Sequence, residues 1–155
     1  MKLLFEQRLF SWLDSFEITD ESGRVVFTAK AELSLIPRIN IYDASGCLLG
    51  SIRKRVLSFL SRFELYFSEE YAGCITKEFT FLKPRYTVEY NGWAIEGDVF
   101  GWDYSILDSS SRTIAVISRQ LAFTDTYSID ISAPADALPA VMVMLAIDYD
   151  MSKRD

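Results

Sequence analysis

Large apolar and polar residues alternate over short stretches of this chain, and the alternation returns about every 23 residues. The copies are Phe16–Ile18, Ile39–Ile41, Phe63–Leu65, Tyr86–Val88, Tyr104–Ile106 and Tyr127–Ile129. A period of two predicts a strand with one face buried. Five of the six then meet a turn signal: Asp20–Gly23, Asp43–Gly46, Ser68–Gly73, Asn91–Gly92 and Asp108–Ser111. Asp, Asn, Ser and Gly supply the local hydrogen bonds and positive backbone angles that hairpin turns need, and Asn91-Gly92 is the sharpest such signal.

A longer return strand follows each turn, and its apolar positions align. Ala29, Ile52, Ile75, Ile95 and Ile117 form one set; Leu33, Val56, Phe79, Val99 and Leu121 form a second, four residues on. Phe5 and Leu9 join the N-terminal segment to both. The opposite face is polar, as at Lys30 and Glu32, Arg53 and Arg55, Glu96 and Asp98. Return strands end in a similar tag: Leu9–Trp12, Val56–Phe59 and Val99–Trp102.

The final apolar run, Ala137–Ile147, has no polar face. At about eleven residues it is too short to span a bilayer, which needs roughly twenty. A helix apolar all round and too short to span belongs in a core. Pro139 must lie in the first helical turn, where its missing N–H costs nothing. Asp136 as N-cap satisfies that, with the helix covering about residues 137–150. An earlier cap at Ser132 or Ala133, with a kink near Pro139, is the alternative.

Six short strands, six long ones and a helix predict a mainly β fold in a single domain over residues 1–155. Short connections make sequence neighbours antiparallel. Closure of twelve strands into a barrel removes exposed edges and leaves an interior wider than side chains alone fill. A helix about 10–12 Å across suits that space. A β-sandwich with the helix at one end also explains the strands, but not a helix without a polar face. An outer-membrane barrel, apolar outside, conflicts with the charged outer positions.

Composition narrows the chemistry. A net charge of −6 argues against nucleic acid. Histidine is absent, which removes Ser-His-Asp and Cys-His catalysis and most zinc sites. Met1–Phe5 opens like a signal peptide, but Glu6, Gln7 and Arg8 interrupt it. Cys47 and Cys74 read as two small semi-buried hydrophobes in a reduced, cytoplasmic protein. Neither a cofactor nor a metal site is expected.

The repeating hairpins, the tags and the closing 137–148 helix resemble the LURP-one-related family, within the Tubby C-terminal-like superfamily that includes the phospholipid scramblases. The resemblance implies a twelve-stranded antiparallel barrel around a central C-terminal helix. No family site transfers residue by residue. Lys83-Pro-Arg85 has the spacing of a Tubby phosphoinositide pair, but with a proline inserted at a strand start. Asp125 and Asp130 lack the alternating oxygen ligands of a calcium loop.

Strand parity singles out one more layer. Gln7, Ala31, Lys54, Lys77, Gly97 and Arg119 lie between the two apolar sets and point inward. Three are cations, and an unpaired buried charge is too costly to persist. Asp148 and Asp150, ending the helix, are the expected partners, in ion pairs that dock the helix. The alternatives are stems that carry the charges to water and a cationic pocket of Lys54, Lys77 and Arg119 for an anionic lipid headgroup or phosphate. The aromatic set (Phe16, Phe63, Tyr86, Tyr104, Tyr127) and Trp12, Trp93 and Trp102 read as core or rim packing. The pattern predicts a non-enzymatic binding or scaffold domain without a transmembrane segment, whose partner is an anionic lipid or a protein.

Overall fold

The computed structural model describes residues 1–6, 15–32, 36–55, 60–79, 84–120 and 126–152. Its twelve strands are β1 (Lys2–Glu6), β2 (Ser15–Asp20), β3 (Val25–Glu32), β4 (Arg38–Asp43), β5 (Leu48–Lys54), β6 (Arg62–Phe67), β7 (Glu70–Phe79), β8 (Pro84–Glu89), β9 (Ala94–Asp98), β10 (Asp103–Leu107), β11 (Thr113–Arg119) and β12 (Thr126–Ile131). A 3-10 turn at Pro134–Asp136 leads into α1 (Ala137–Ser152). The strands form one antiparallel sheet in the order β8-β7-β6-β5-β4-β3-β2-β1-β12-β11-β10-β9. The first and last strands, β1 and β12, pair with each other in the middle of the sheet order, and the barrel is nearly closed. Among the described residues no ladder joins β8 to β9.

The turns explain the regular hairpins. At Asp20, Asp43 and Asp108 the carboxylate accepts a backbone N–H from the residue two on (2.8–2.9 Å) and from the residue four on (2.9–3.0 Å). The third residue after each Asp takes a positive φ: Gly23 at 86°, Gly46 at 88° and Ser111 at 63°. Beside each turn the ladder shifts register, between Ile18 and Thr19, Ile41 and Tyr42, and Ile106 and Leu107 on the strand that enters it. A bulge beside a tight turn adds local twist, which a closing sheet requires.

Asn91-Gly92 departs from expectation. Both residues have positive φ, 52° and 71°, and Trp93 N–H donates to Tyr90 O, so the tight turn forms. The strands it joins, β8 and β9, nevertheless part. The local signal settled the turn but not the pairing of the strands beyond it.

The first inward set is buried as predicted at Phe5, Ala29, Ile52, Ile75 and Ile117, none more than 2 % exposed. Ile95 on the seam strand is half-buried instead. Leu9, Leu33, Val56 and Leu121, and the tags 9–12 and 56–59, lie outside the described residues, as do the side chains of Phe16 and Phe79. The described tag places Trp102 in the core with φ 54°, its ring 4.1 Å from that of Tyr127.

α1 is enclosed on all sides. Ala140–Ile147 are 0 % exposed, and burial continues to Asp150. Its entry differs from the expected Asp136 cap. Helical backbone begins three residues earlier, with Ala133 extended (φ −127°, ψ 127°) in the capping position and Asp136 N–H donating to Ala133 O. Pro134 starts this turn, where a fixed φ favours helix and no donor is needed. Pro139 is the third residue of α1, as the first-turn argument required. Gly50 lets the helix approach the wall, since a Cβ there would lie 3.3 Å from the Met142 sulfur and 2.6 Å from Tyr66 O.

Candidate functional site

β12 ends at the turn-bearing end of the barrel, so α1 runs back from there toward the opposite mouth. β5, β7 and β11 also finish at that mouth, bringing Lys54, Lys77 and Arg119 to the level of the helix C-terminus. The three cations share inward parity but meet different surroundings.

Lys77 is 5 % exposed, and its Nζ lies 3.1 Å from Asp150 Oδ2. Asp150 is equally buried and also accepts a 2.5 Å hydrogen bond from the Tyr86 hydroxyl. Tyr86 is the register partner of Lys77 across the β7–β8 ladder, so adjacent strands deliver both donors to one carboxylate. Burial raises the Tyr86 hydroxyl pKa first, and the bond and charge of Asp150 raise it further. This phenol stays protonated and donates.

Asp148 is 2 % exposed and faces elsewhere. Two residues along a helix are about 200° apart around the axis, so the two carboxylates cannot serve one partner. The charge of Asp148 reaches Tyr104, whose pKa is raised mainly by burial and secondarily by that carboxylate. The Tyr104 hydroxyl is buried without a hydrogen-bond partner among the described residues.

Lys54 is half-buried at the end of β5, with no ion pair among the described residues. Its backbone N–H donates to Pro37 O. Arg119 is exposed, its guanidinium carbon 5.9 Å from the centroid of the Tyr127 ring, which in turn packs on Trp102. Such a distance is the outer reach of a cation–π contact. Ala31 is half-buried, Gly97 exposed, and Gln7 outside the described residues. Positions that share one strand parity therefore differ in burial, and of the three cations only Lys77 is sealed.

Two features of this mouth escaped the sequence reading. Core or rim packing of the aromatic set leaves the partner of Tyr86 unnamed, although its pairing with Lys77 follows from strand register. Ile36 and Phe100, in the connections before β4 and before β10, are 55 % and 43 % exposed at the same end as Lys54 and Arg119. No periodicity marks single loop residues.

The remaining candidates stand apart. Arg53 lies outside the barrel, bonded to Glu69 at 2.7 Å and stacked 3.9 Å over Tyr66, and Arg55 pairs with Glu64, so Arg53-Lys54-Arg55 is divided between faces. Cys74 is buried on the outer parity, its thiol donating to Glu89 at 3.2 Å, whereas Cys47 is exposed in a turn rather than semi-buried. Burial is the main cause of a raised Cys74 pKa, which disfavours the reactive thiolate. Trp93 and Trp102 are buried; Trp12, Lys83 and Asp125 lie outside the described residues. Among the described residues no three Cys, Asp or Glu side chains gather as metal ligands, and no helix is long and apolar enough to cross a membrane.

Comparison with known proteins agrees with this architecture. The chain is 27% identical over 149 residues to the uncharacterised protein YxjI of Bacillus subtilis, covering 96% of this chain and 92% of that protein. A protein of Arabidopsis thaliana with an X-ray structure superposes with a TM-score of 0.67 at 14% identity, covering 96% of this chain and 90% of that one, which supports the fold alone. The sequence model of the LURP-one-related family matches residues 1–148, and by that match over nearly its whole length the chain belongs to the LURP-one-related family.

Proposed function

We propose that the protein is a non-enzymatic binding domain that recognises an anionic lipid headgroup, or a phosphate group of the same chemistry, at the mouth where α1 ends. The observation that carries this reading is the division of labour among the three inward cations. Lys77 is held by Asp150 inside the barrel, whereas Lys54 and Arg119 keep their charge near solvent. Ile36 and Phe100 add exposed apolar side chains at the same end. Cations beside exposed apolar groups suit a headgroup surface, where each basic residue contributes about 1 kcal/mol. Lys77 and Asp150 act instead as the ion pair that docks the helix. A non-enzymatic role is supported by the helix filling the interior, and a reducing, cytoplasmic setting by the two free thiols. Kinship with Tubby-like and scramblase-like domains, carried by the hairpin repeats and central helix, belongs to the same proposal.

The test is co-sedimentation with vesicles of neutral phosphatidylcholine and with vesicles containing an anionic phospholipid, with inorganic phosphate as competitor. Binding to the anionic vesicles is expected to weaken with salt, and to fall about tenfold or more in Lys54→Glu/Arg119→Glu. Competition by phosphate at millimolar levels identifies a free phosphate ligand instead. Equal binding of the parent and the double variant, with thermal melting unchanged, rejects the mouth site.

A further inference from the structure

Strands β8 and β9 end the sheet, and among the described residues no ladder joins them. β9 therefore pairs with β10 along one edge and offers its other edge to the seam. The consequence is visible at Ile95. Its counterparts Ala29, Ile52, Ile75 and Ile117 are at most 1 % exposed, whereas Ile95 is half-buried. Every other residue of β9 is exposed. Gly97 follows on the same inward parity with φ 117° and its backbone tight against Tyr104, where a Cβ would fall 2.9 Å from the Tyr104 Cα. The inner layer thus has no side chain at this point of the seam.

Among the described residues the charge along the seam is mainly acidic. Glu89 on β8, Glu96 and Asp98 on β9 and Asp103 on β10 are all exposed, and Asp98 and Asp103 face each other in register. Arg85 is the exposed cation on β8. Like charges directly opposite one another destabilise a strand pair, and a cation placed between them relieves that.

We propose that the free edge of β9 takes an added strand from a partner protein: an extended, basic segment in which Lys or Arg alternates with apolar residues. Main-chain hydrogen bonds to β9 supply affinity, and alternating side chains supply selectivity. The basic side chains lie outside, beside Glu96 and Asp98. The apolar ones lie inside, over Ile95 and along the bare backbone at Gly97. A second copy of this chain is the poorer occupant, because its own acidic edge would meet this one. The site is separate from the mouth carrying Lys54 and Arg119, so either reading can fail alone.

The probe is an N-acetylated, C-amidated peptide of alternating lysine and valine, added to the intact protein. Two comparators are a peptide of equal charge with proline at the central valines, which lacks the N–H donors, and a peptide of alternating glutamate and valine. The lysine–valine peptide is expected to bind at least about tenfold more tightly than either comparator and to slow amide hydrogen exchange along Ile95–Asp98. Glu96→Lys/Asp98→Lys should weaken it by a similar factor, and Glu96→Gln by less, covering the case in which the double variant misfolds. Equal binding of the proline peptide would show charge attraction without strand addition and overturn the proposal. Protection confined to other strands, or self-association of the free chain through β9, would overturn it as well.

Discussion

Two tyrosines at the end of the helix occupy similar depths and have opposite accounts. Tyr86 donates to Asp150, a carboxylate that also holds Lys77; Tyr104 is buried without a partner for its hydroxyl among the described residues. A hydrogen bond to a charged group contributes about 1.5–3 kcal/mol, whereas a buried unsatisfied group costs about 1–3 kcal/mol. Tyr86→Phe is therefore expected to destabilise the protein by roughly 1.5–3 kcal/mol. Tyr104→Phe should be neutral or stabilising by about 1 kcal/mol. Urea denaturation of the two variants, with unchanged m-values, separates them; equal losses would mean that Tyr104 is satisfied in solution.

At the scale of elements, the hairpin turns and the helix–wall contact each carry a prediction. Hydrogen bonds hold the Asp20, Asp43 and Asp108 carboxyls below the ordinary carboxylate range, led by the Ser22 hydroxyl at Asp20, the Ser45 hydroxyl at Asp43 and the Arg112 backbone N–H at Asp108. A folded pKa below the unfolded one gives stability that is present above about pH 4 and is lost as pH falls through the lowered values. The Asn triple variant keeps the acceptor oxygens but not the charges, so its urea midpoint should fall less steeply with acid below about pH 4. An unchanged slope would place acid sensitivity elsewhere. The glycines give a second contrast. Gly50→Ala meets a backbone oxygen at 2.6 Å with Met142 behind it, whereas a Cβ at Gly23 meets nothing within 4 Å and suffers only from φ 86°. Overpacking puts the first at roughly 1–3 kcal/mol, and the left-handed conformation puts the second at about 1 kcal/mol. Thermal melts that reverse this order would show that the wall yields at β5.

For the whole molecule, the inner faces of the sheet and the helix are one core. Ile41, Ile75, Ile117 and Ile129 are 0 % exposed, as are Ala140–Ile147. A chain ending at Ala133 is expected to lose its cooperative melt and bind apolar dyes, because the wall it leaves is wet on both sides. A sharp transition in that truncated chain would show that the strands can close without their plug. The nearly closed wall also explains how an acidic protein can keep cations at one mouth and an acidic seam along one side: both surfaces are carried by strands that the same core holds.

Local patterns settled a good deal. Alternation placed the twelve strands, turn signals led by Asp placed hairpins between them, and an apolar run without a polar face placed the helix inside. Each depends on contacts a few residues apart, or on solvent exclusion acting on one element. Parity also put Lys54, Lys77 and Arg119 in one layer of the strands, and the helix direction brought Asp150 to Lys77. What parity could not tell was depth. Lys77 is sealed because β7 continues past it and β8 brings Tyr86 alongside, whereas Lys54 and Arg119 are the last residues of their strands. Nor could a sharp Asn-Gly turn reveal that its two strands part. The number of strands, their twist and the girth of the enclosed helix together decide where a barrel fails to meet, and that balance exists only once the chain has folded.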